Sequence, residues 1–142
     1  MTRNIVERKI MWGDLDSLGI VFYPRYYEWI DASGHLFFEK INLNIGKLWH
    51  EKNILFGLVE TSCRYLKPAR YHQSIRIVTH IDALEEKTLV LNHSIHNSAD
   101  DTVMVEGYEK RVCLDVSDQK DFRAINIPQD IYDVLKKVMG AT

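Results

Sequence analysis

The chain has 142 residues, 46% of them hydrophobic and 27% charged, with a formal net charge of −2. That length suits one domain, spanning 1–142, with a sizeable core. The balanced charge gives no basis for a nucleic-acid-binding surface, and no run of 18 apolar residues marks a membrane span. The first residues, Met1 to Lys9, lack the apolar centre of a signal peptide, so a cytoplasmic location is expected. Cys63 and Cys113 stand in strand-like runs with no CxxC or CxxH context. They read as buried free thiols rather than a bridge or zinc ligands.

Residues 5–11 alternate, with Ile5, Glu7 and Lys9 on one side and Val6, Arg8 and Ile10 on the other, which predicts a half-buried or edge strand. A loop follows to Tyr23-Pro24, a helix-entry signal, because proline fits the first helical turn. The helix is predicted over 25–40. Its polar residues Glu28, Asp31, His35 and Glu39 form one narrow stripe, and the wide apolar remainder predicts a helix largely enclosed by other structure. Gly34 in mid-helix costs about 1 kcal/mol relative to Ala, so close approach of a strand or second subunit is expected there.

A short helix is predicted over 44–52 with Asn44 as N-cap and Ile45, Leu48, Trp49 and Lys52 on one face. Four strands follow, at 56–67, 74–83, 88–97 and 102–116, with Pro68 ending the first. Ile75, Ile77, Thr79 and Ile81 share a face, as do Leu89, Leu91, His93 and Ile95. Short connections, such as 84–88 and 97–101, predict antiparallel pairing. Pro128 opens a last helix over 128–139, with Ile131, Leu135 and Val138 on its apolar stripe and Lys136, Lys137 and Gly140 suiting its end. The pattern alone says α+β.

Candidate chemistry concentrates in the loop Trp12–Pro24, which carries Asp14, Asp16, Gly13 and Gly19. A helix start supplies unpaired N–H groups and partial positive charge. Those groups can hold an oxyanion while a nearby carboxylate attacks or activates water. Asp16 could equally cap a turn through its side chain. No acidic cluster or His pair at ligand spacing accompanies Asp-x-Asp, so no metal is expected, and no Gly-x-Ser-x-Gly elbow supports a serine triad.

The run Asp14-x-Asp16-x-x-Gly19-Ile-Val-x-Tyr23-Pro24-x-Tyr26, followed by Trp29-x-Asp31-Ala32, resembles the 4-hydroxybenzoyl-CoA thioesterase family of the hotdog fold. The resemblance runs through most of the chain. It implies a curved antiparallel sheet wrapped around the long helix, and hydrolysis of an acyl-CoA without cofactor. It implies Asp16 as nucleophile or general base, and the backbone amide near Tyr23 as polariser of the thioester carbonyl. Gly19, Trp29 and Asp31 are the implied acyl contacts, and an acidic residue at Asp31 points to a hydroxylated aromatic acyl group. His35 reads as a plain hydrogen-bonding residue. Arg70, Lys87 and Arg123 are the candidate cations for the coenzyme A phosphates, and Arg123-Ala-Ile resembles the family's element before its last helix. The chain departs from the family at Glu85-Glu86, where arginines are usual. The resemblance also implies a homodimer with joined sheets, paired again into a homotetramer. Two rivals stay open: a short- or medium-chain aliphatic acyl-CoA or acyl-carrier-protein thioesterase, and a non-catalytic acyl-CoA-binding module.

Overall fold

The computed structural model describes residues 1–140. In chain order it has β1 (Asn4–Lys9), a 3-10 turn (Trp12–Asp14), α1 (Pro24–Lys40), α2 (Ile45–Lys52), β2 (Ile54–Tyr65), β3 (Ser74–Leu84), β4 (Thr88–Asn97), β5 (Val103–Asp115), β6 (Arg123–Ala124) and α3 (Gln129–Met139). The caps expected for α2 and α3 are present. Asn44 accepts from Lys47 N–H at 3.2 Å, and Gly140 ends α3 at φ +83°. β6, two residues long, carries no alternation from which a sequence could announce it.

The strands form one antiparallel sheet in the order β1-β3-β4-β5-β2, with β6 against the end of β5. β2 is not beside β3, its successor in the chain. It lies at the far edge, where Tyr65 faces Val105 and Ile54 faces Asp115. The reason is the connection at 66–73, which crosses the end of the sheet and is held there by other partners. Val21 N–H donates to Ala69 O at 3.0 Å, and His72 N–H donates to Ile10 O at 3.2 Å. The chain therefore leaves one edge at Tyr65 and re-enters on the far side between β1 and β4, where Ser74 faces Lys9.

The sheet curls around α1, whose buried face is Tyr26, Trp29, Ile30, Ser33, Gly34, Phe37 and Phe38. This is the hotdog arrangement. Phe37 and Phe38 pack with α2, α3 and the β4–β5 ends, while Tyr26, Trp29 and Ile30 pack with β1, β3 and the crossing segment. Gly34 allows a close approach of helix to sheet: a Cβ there would sit 2.8 Å from Glu109 Oε1 and 3.3 Å from Leu91 Cδ1. α1 is enclosed on that side only. Ala32 is exposed and Leu36 is 42% exposed, so part of the apolar surface expected to be covered is open in the single chain. Trp49, expected on the inner face of α2, is also exposed, and Leu48 alone of that helix is buried.

Candidate active site

The loop before α1 is a small antiparallel turn. Leu15 bridges to Val21 and Ile20 bridges to Arg70. Asp16 sits at its tip, half-buried, with its N–H donating to Ile20 O at 2.9 Å and its C=O accepting from Gly19 N–H at 3.0 Å. Gly19 takes φ +75°, a conformation that favours glycine. The turn-capping role weighed for Asp16 is real, since Oδ1 accepts from Leu18 N–H at 2.8 Å. Oδ2 has no hydrogen-bond partner among the described residues. Asp14 is engaged differently: its Oδ2 accepts from Arg8 and from Met11 N–H, both at 2.8 Å, which ties the loop to β1.

The loop delivers the chain to the start of α1 at Tyr23-Pro24. Phe22 N–H is taken by Asp14 O, and Arg25 and Tyr26 N–H by Phe22 O and Tyr23 O. Tyr23 N–H donates to no backbone or side-chain acceptor among the described residues. It is an orphan donor at a helix start, which favours negative charge. Beside it opens a largely apolar cleft of about 300 Å³ lined by Ile20, Val21, Tyr23, Tyr26, Tyr65, Leu66, Lys67 and Pro68. Its walls are aromatic, with Tyr65 5.8 Å from Tyr26 and 6.4 Å from Tyr23 between ring centroids. Burial pushes the Tyr26 hydroxyl up, and the Ala69 N–H bonded to its oxygen partly opposes this. A larger hollow of about 420 Å³ lies near the other end of α1, at Lys40–Leu43 and Val138, but holds none of the candidate residues.

The other candidates fall in different places. Trp29 is 7% exposed, packed edge-on against Tyr26 with the Arg8 guanidinium 4.3 Å above its ring. Its ring is taken up by core packing and does not line the cleft. Arg70 is exposed at the cleft end, its N–H bonded to Gln73 Oε1 at 2.7 Å. Lys87 and Arg123 lie together at the opposite corner, where Lys87 O accepts from Cys113 N–H and Arg123 faces Asp115. Val105 faces Tyr65 and Leu114 faces Ala124, nine residues on, so about 30 Å of β5 separates that corner from the cleft.

Asp31 has a partner that the sequence did not announce. Its Oδ1 accepts from Arg111 at 2.8 Å, and Oδ2 lies 3.7 Å from His35 Nδ1. Arg111, with a side chain only 4% exposed, also donates to Glu109 Oε2 at 2.7 Å and to Phe56 O at 3.1 Å. Glu109 Oε1 meets His93 Nε2 at 2.8 Å, and His93 Nδ1 meets Thr79 Oγ at 2.7 Å. A Glu109 carboxylate accepts from Nε2–H, and with that tautomer Nδ1 accepts a hydrogen bond from the Thr79 hydroxyl. The result is a buried polar row from β3 through β4 and β5 to the surface of α1. Thr79 and His93 were legible on inward faces. Glu109 and Arg111 were not, although they share the parity of inward Val105 and Cys113.

A sheet curled about one long helix, with a carboxylate loop feeding an orphan amide and an apolar cleft, defines the class of hotdog thioester enzymes. Residues 10–135 match the model of the Thioesterase-like superfamily, and the chain belongs to that family. It is 30% identical to 4-hydroxybenzoyl-CoA thioesterase of Pseudomonas sp. (strain CBS-3), covering 94% of this chain and 99% of that one. A solved 4-hydroxybenzoyl-CoA thioesterase variant complexed with 4-hydroxybenzoyl CoA superposes with a TM-score of 0.86 at 27% identity, over 94% of this chain and 98% of the other. A gentisyl-coenzyme A thioesterase superposes at 0.78 with 29% identity, over 94% and 99%. The resemblance drawn from the loop-and-helix motif is borne out at the level of family and fold.

Proposed function

We propose that the chain hydrolyses aromatic acyl-CoA thioesters, 4-hydroxybenzoyl-CoA among them, with the Asp16 carboxylate and the Tyr23 amide as its working parts. As a member of its superfamily the chain is a thioester hydrolase; the acyl class and the residue roles are our reading. The observation that supports it is the orphan N–H of Tyr23, a residue that lines the aromatic cleft together with Ile20 and Val21 of the Asp16 turn. A thioester carbonyl placed there gains a donor aimed at the charge that develops on its oxygen. Asp16 Oδ2, the uncommitted oxygen, acts by either of two routes. It adds to the carbonyl carbon, expelling the coenzyme A thiolate and leaving an anhydride for water to open. Otherwise it takes a proton from water as the hydroxyl adds and the C–S bond breaks. Burial pushes the Cys63 thiol up, with the Tyr27 hydrogen bond opposing and Glu109 adding, which disfavours its thiolate.

The length of α1 supports a para-hydroxylated ring. Tyr23, Tyr27 and Asp31 recur every fourth residue along one stripe. From Tyr23 to Asp31 the helix rises about 12 Å, and two hydrogen bonds of about 3 Å leave about 6 Å, the span of a para-substituted benzoyl group. The relatives of 27–30% identity are named for 4-hydroxybenzoyl-CoA and gentisyl-coenzyme A, both thioesters of aromatic acids.

The separation of the cations supports more than one copy at work. On this reading Arg70 serves a phosphate at the cleft of its own chain, and Lys87 and Arg123, remote from that cleft, serve a thioester held by a neighbouring copy. β2 offers the means, being a 12-residue edge strand with Leu58, Val59 and Tyr65 exposed. A homodimer joined along β2, or a tetramer of such pairs, fits this surface. The cytoplasm suits its two free thiols.

The test is thiol release from a panel of aromatic and aliphatic acyl-CoA thioesters. Aromatic substrates are expected to turn over fastest. Asp16→Asn is expected to lower kcat by at least about 100-fold while coenzyme A still binds. A wild-type protein that binds acyl-CoA without turnover would establish the binding-module rival, and undiminished turnover by Asp16→Asn would remove the carboxylate from the mechanism.

A further inference from the structure

We propose that Arg111 sets the acyl preference of this site by fixing the carboxylate of Asp31, and that Glu109, His93 and Thr79 hold Arg111 in place. The proposal rests on the reading of Asp31 as the acceptor for an acyl hydroxyl.

Asp31 stands on a helix surface with its side chain 50% exposed. An exposed carboxylate is free to change rotamer and to bond water, and exposed ion pairs hold little. Its partner is not exposed. Arg111 has its two terminal nitrogens committed to Phe56 O, Glu109 and Asp31, and its side chain is 4% exposed. The planar guanidinium presents its N–H groups in a fixed fork. Asp31 Oδ1 docks on that fork, and Oδ2, beyond hydrogen-bond distance of His35 Nδ1 at 3.7 Å, is left to accept from a donor brought by the substrate.

The row beneath Arg111 leads to one place. Thr79 lies among Ile75, Ile77 and Ile81, and His93 among Leu89, Leu91 and Ile95, so apolar residues fill the neighbouring inward positions of both strands. A buried ion pair is often no more stabilising than an apolar pair of equal volume. Stability alone therefore does not call for four polar groups here. Thr79 faces His93 directly across β3 and β4, and His93 reaches Glu109 diagonally across β4 and β5. Gly34 leaves room for Glu109 under α1. Every member is inaccessible until the row surfaces at Asp31. Each link restricts the next, and the restriction is delivered to a single exposed carboxylate on the Tyr23–Asp31 stripe.

The experiment measures kcat/KM for 4-hydroxybenzoyl-CoA and for benzoyl-CoA in the wild type, Asp31→Asn, Arg111→Lys and the double variant Glu109→Gln/Arg111→Gln. The readout is the ratio of the two values, because general loosening lowers both and leaves the ratio. The double variant removes both buried charges together, and Arg111→Lys keeps a cation beside Glu109, so either one decides if the other fails to fold. The wild type is expected to favour the hydroxylated substrate. Asp31→Asn should lower the ratio about tenfold. The Arg111 variants should lower it as far, with no further loss when Asp31→Asn is added. Arg111 variants that keep the wild-type ratio while Asp31→Asn loses it would overturn the positioning role and leave Asp31 in place. A wild type with no preference, or an Asp31→Asn ratio equal to wild type, would remove the reading of Asp31 and this proposal with it.

Discussion

Asp16 commits one carboxylate oxygen to the turn and leaves the other unengaged among the described residues. Oδ1 closes the turn on Leu18 N–H, which fixes the carboxylate without occupying Oδ2. That division makes turn capping compatible with the proposed catalytic role, two readings set against each other on sequence alone. Asp16 was legible because its neighbours form a spaced motif in a short segment. Arg111 was not, because a charged residue in a long strand reads as solvent-facing unless its parity is tracked against Val105 and Cys113. His80 yields a prediction at this scale. Burial holds it below the ordinary histidine value, with Asp82 opposing and Arg3 and His93 adding. A histidine depressed on folding stabilises while neutral, and the unfolded chain takes up the proton first as pH falls. Its contribution is therefore full above about pH 6.5 and declines below it. The Tm of the wild type is expected to fall between pH 7 and pH 5, and His80→Gln should flatten that slope in calorimetry across the same range.

The elements carry the fold, and most were readable from periodicity. β3 alternates as far as Ile81 and β4 as far as Ile95 because one face is buried along those stretches. β2 alternates less well because a bulge between Leu58 and Glu60 breaks its register with β5 and leaves Leu58 and Val59 both outward. Its place at the far edge was hidden, since it depends on bonds from the 66–73 crossing to Val21 and Ile10 rather than on β2 itself. The mid-helix glycine was read correctly as a site of close approach. Gly34→Ala gains about 1 kcal/mol of helix propensity. It also sets a methyl group 2.8 Å from the buried Glu109 carboxylate, and overpacking of that kind costs about 1–3 kcal/mol. The expected outcome is a net loss of up to about 2 kcal/mol in urea unfolding, with the midpoint lowered and the slope unchanged.

As a whole molecule the chain has two unlike edges. β1 is six residues long, and its outward positions are Ile5, Glu7 and Lys9. β2 is twice that length and meets water with apolar side chains. Charged, short edges discourage pairing and long apolar ones invite it. Sedimentation is expected to return a dimer or tetramer, and Val59→Lys on the β2 edge should shift the protein toward monomer. A monomeric wild type would contradict the joined sheet. The same edge has a consequence for solvent exchange. Along an outer antiparallel strand only alternate amides bond inward to the neighbour. In an isolated chain β2 would therefore show a comb of fast and slow deuterium uptake, every second residue protected by β5. Docking a second β2 alongside would fill the gaps in the comb.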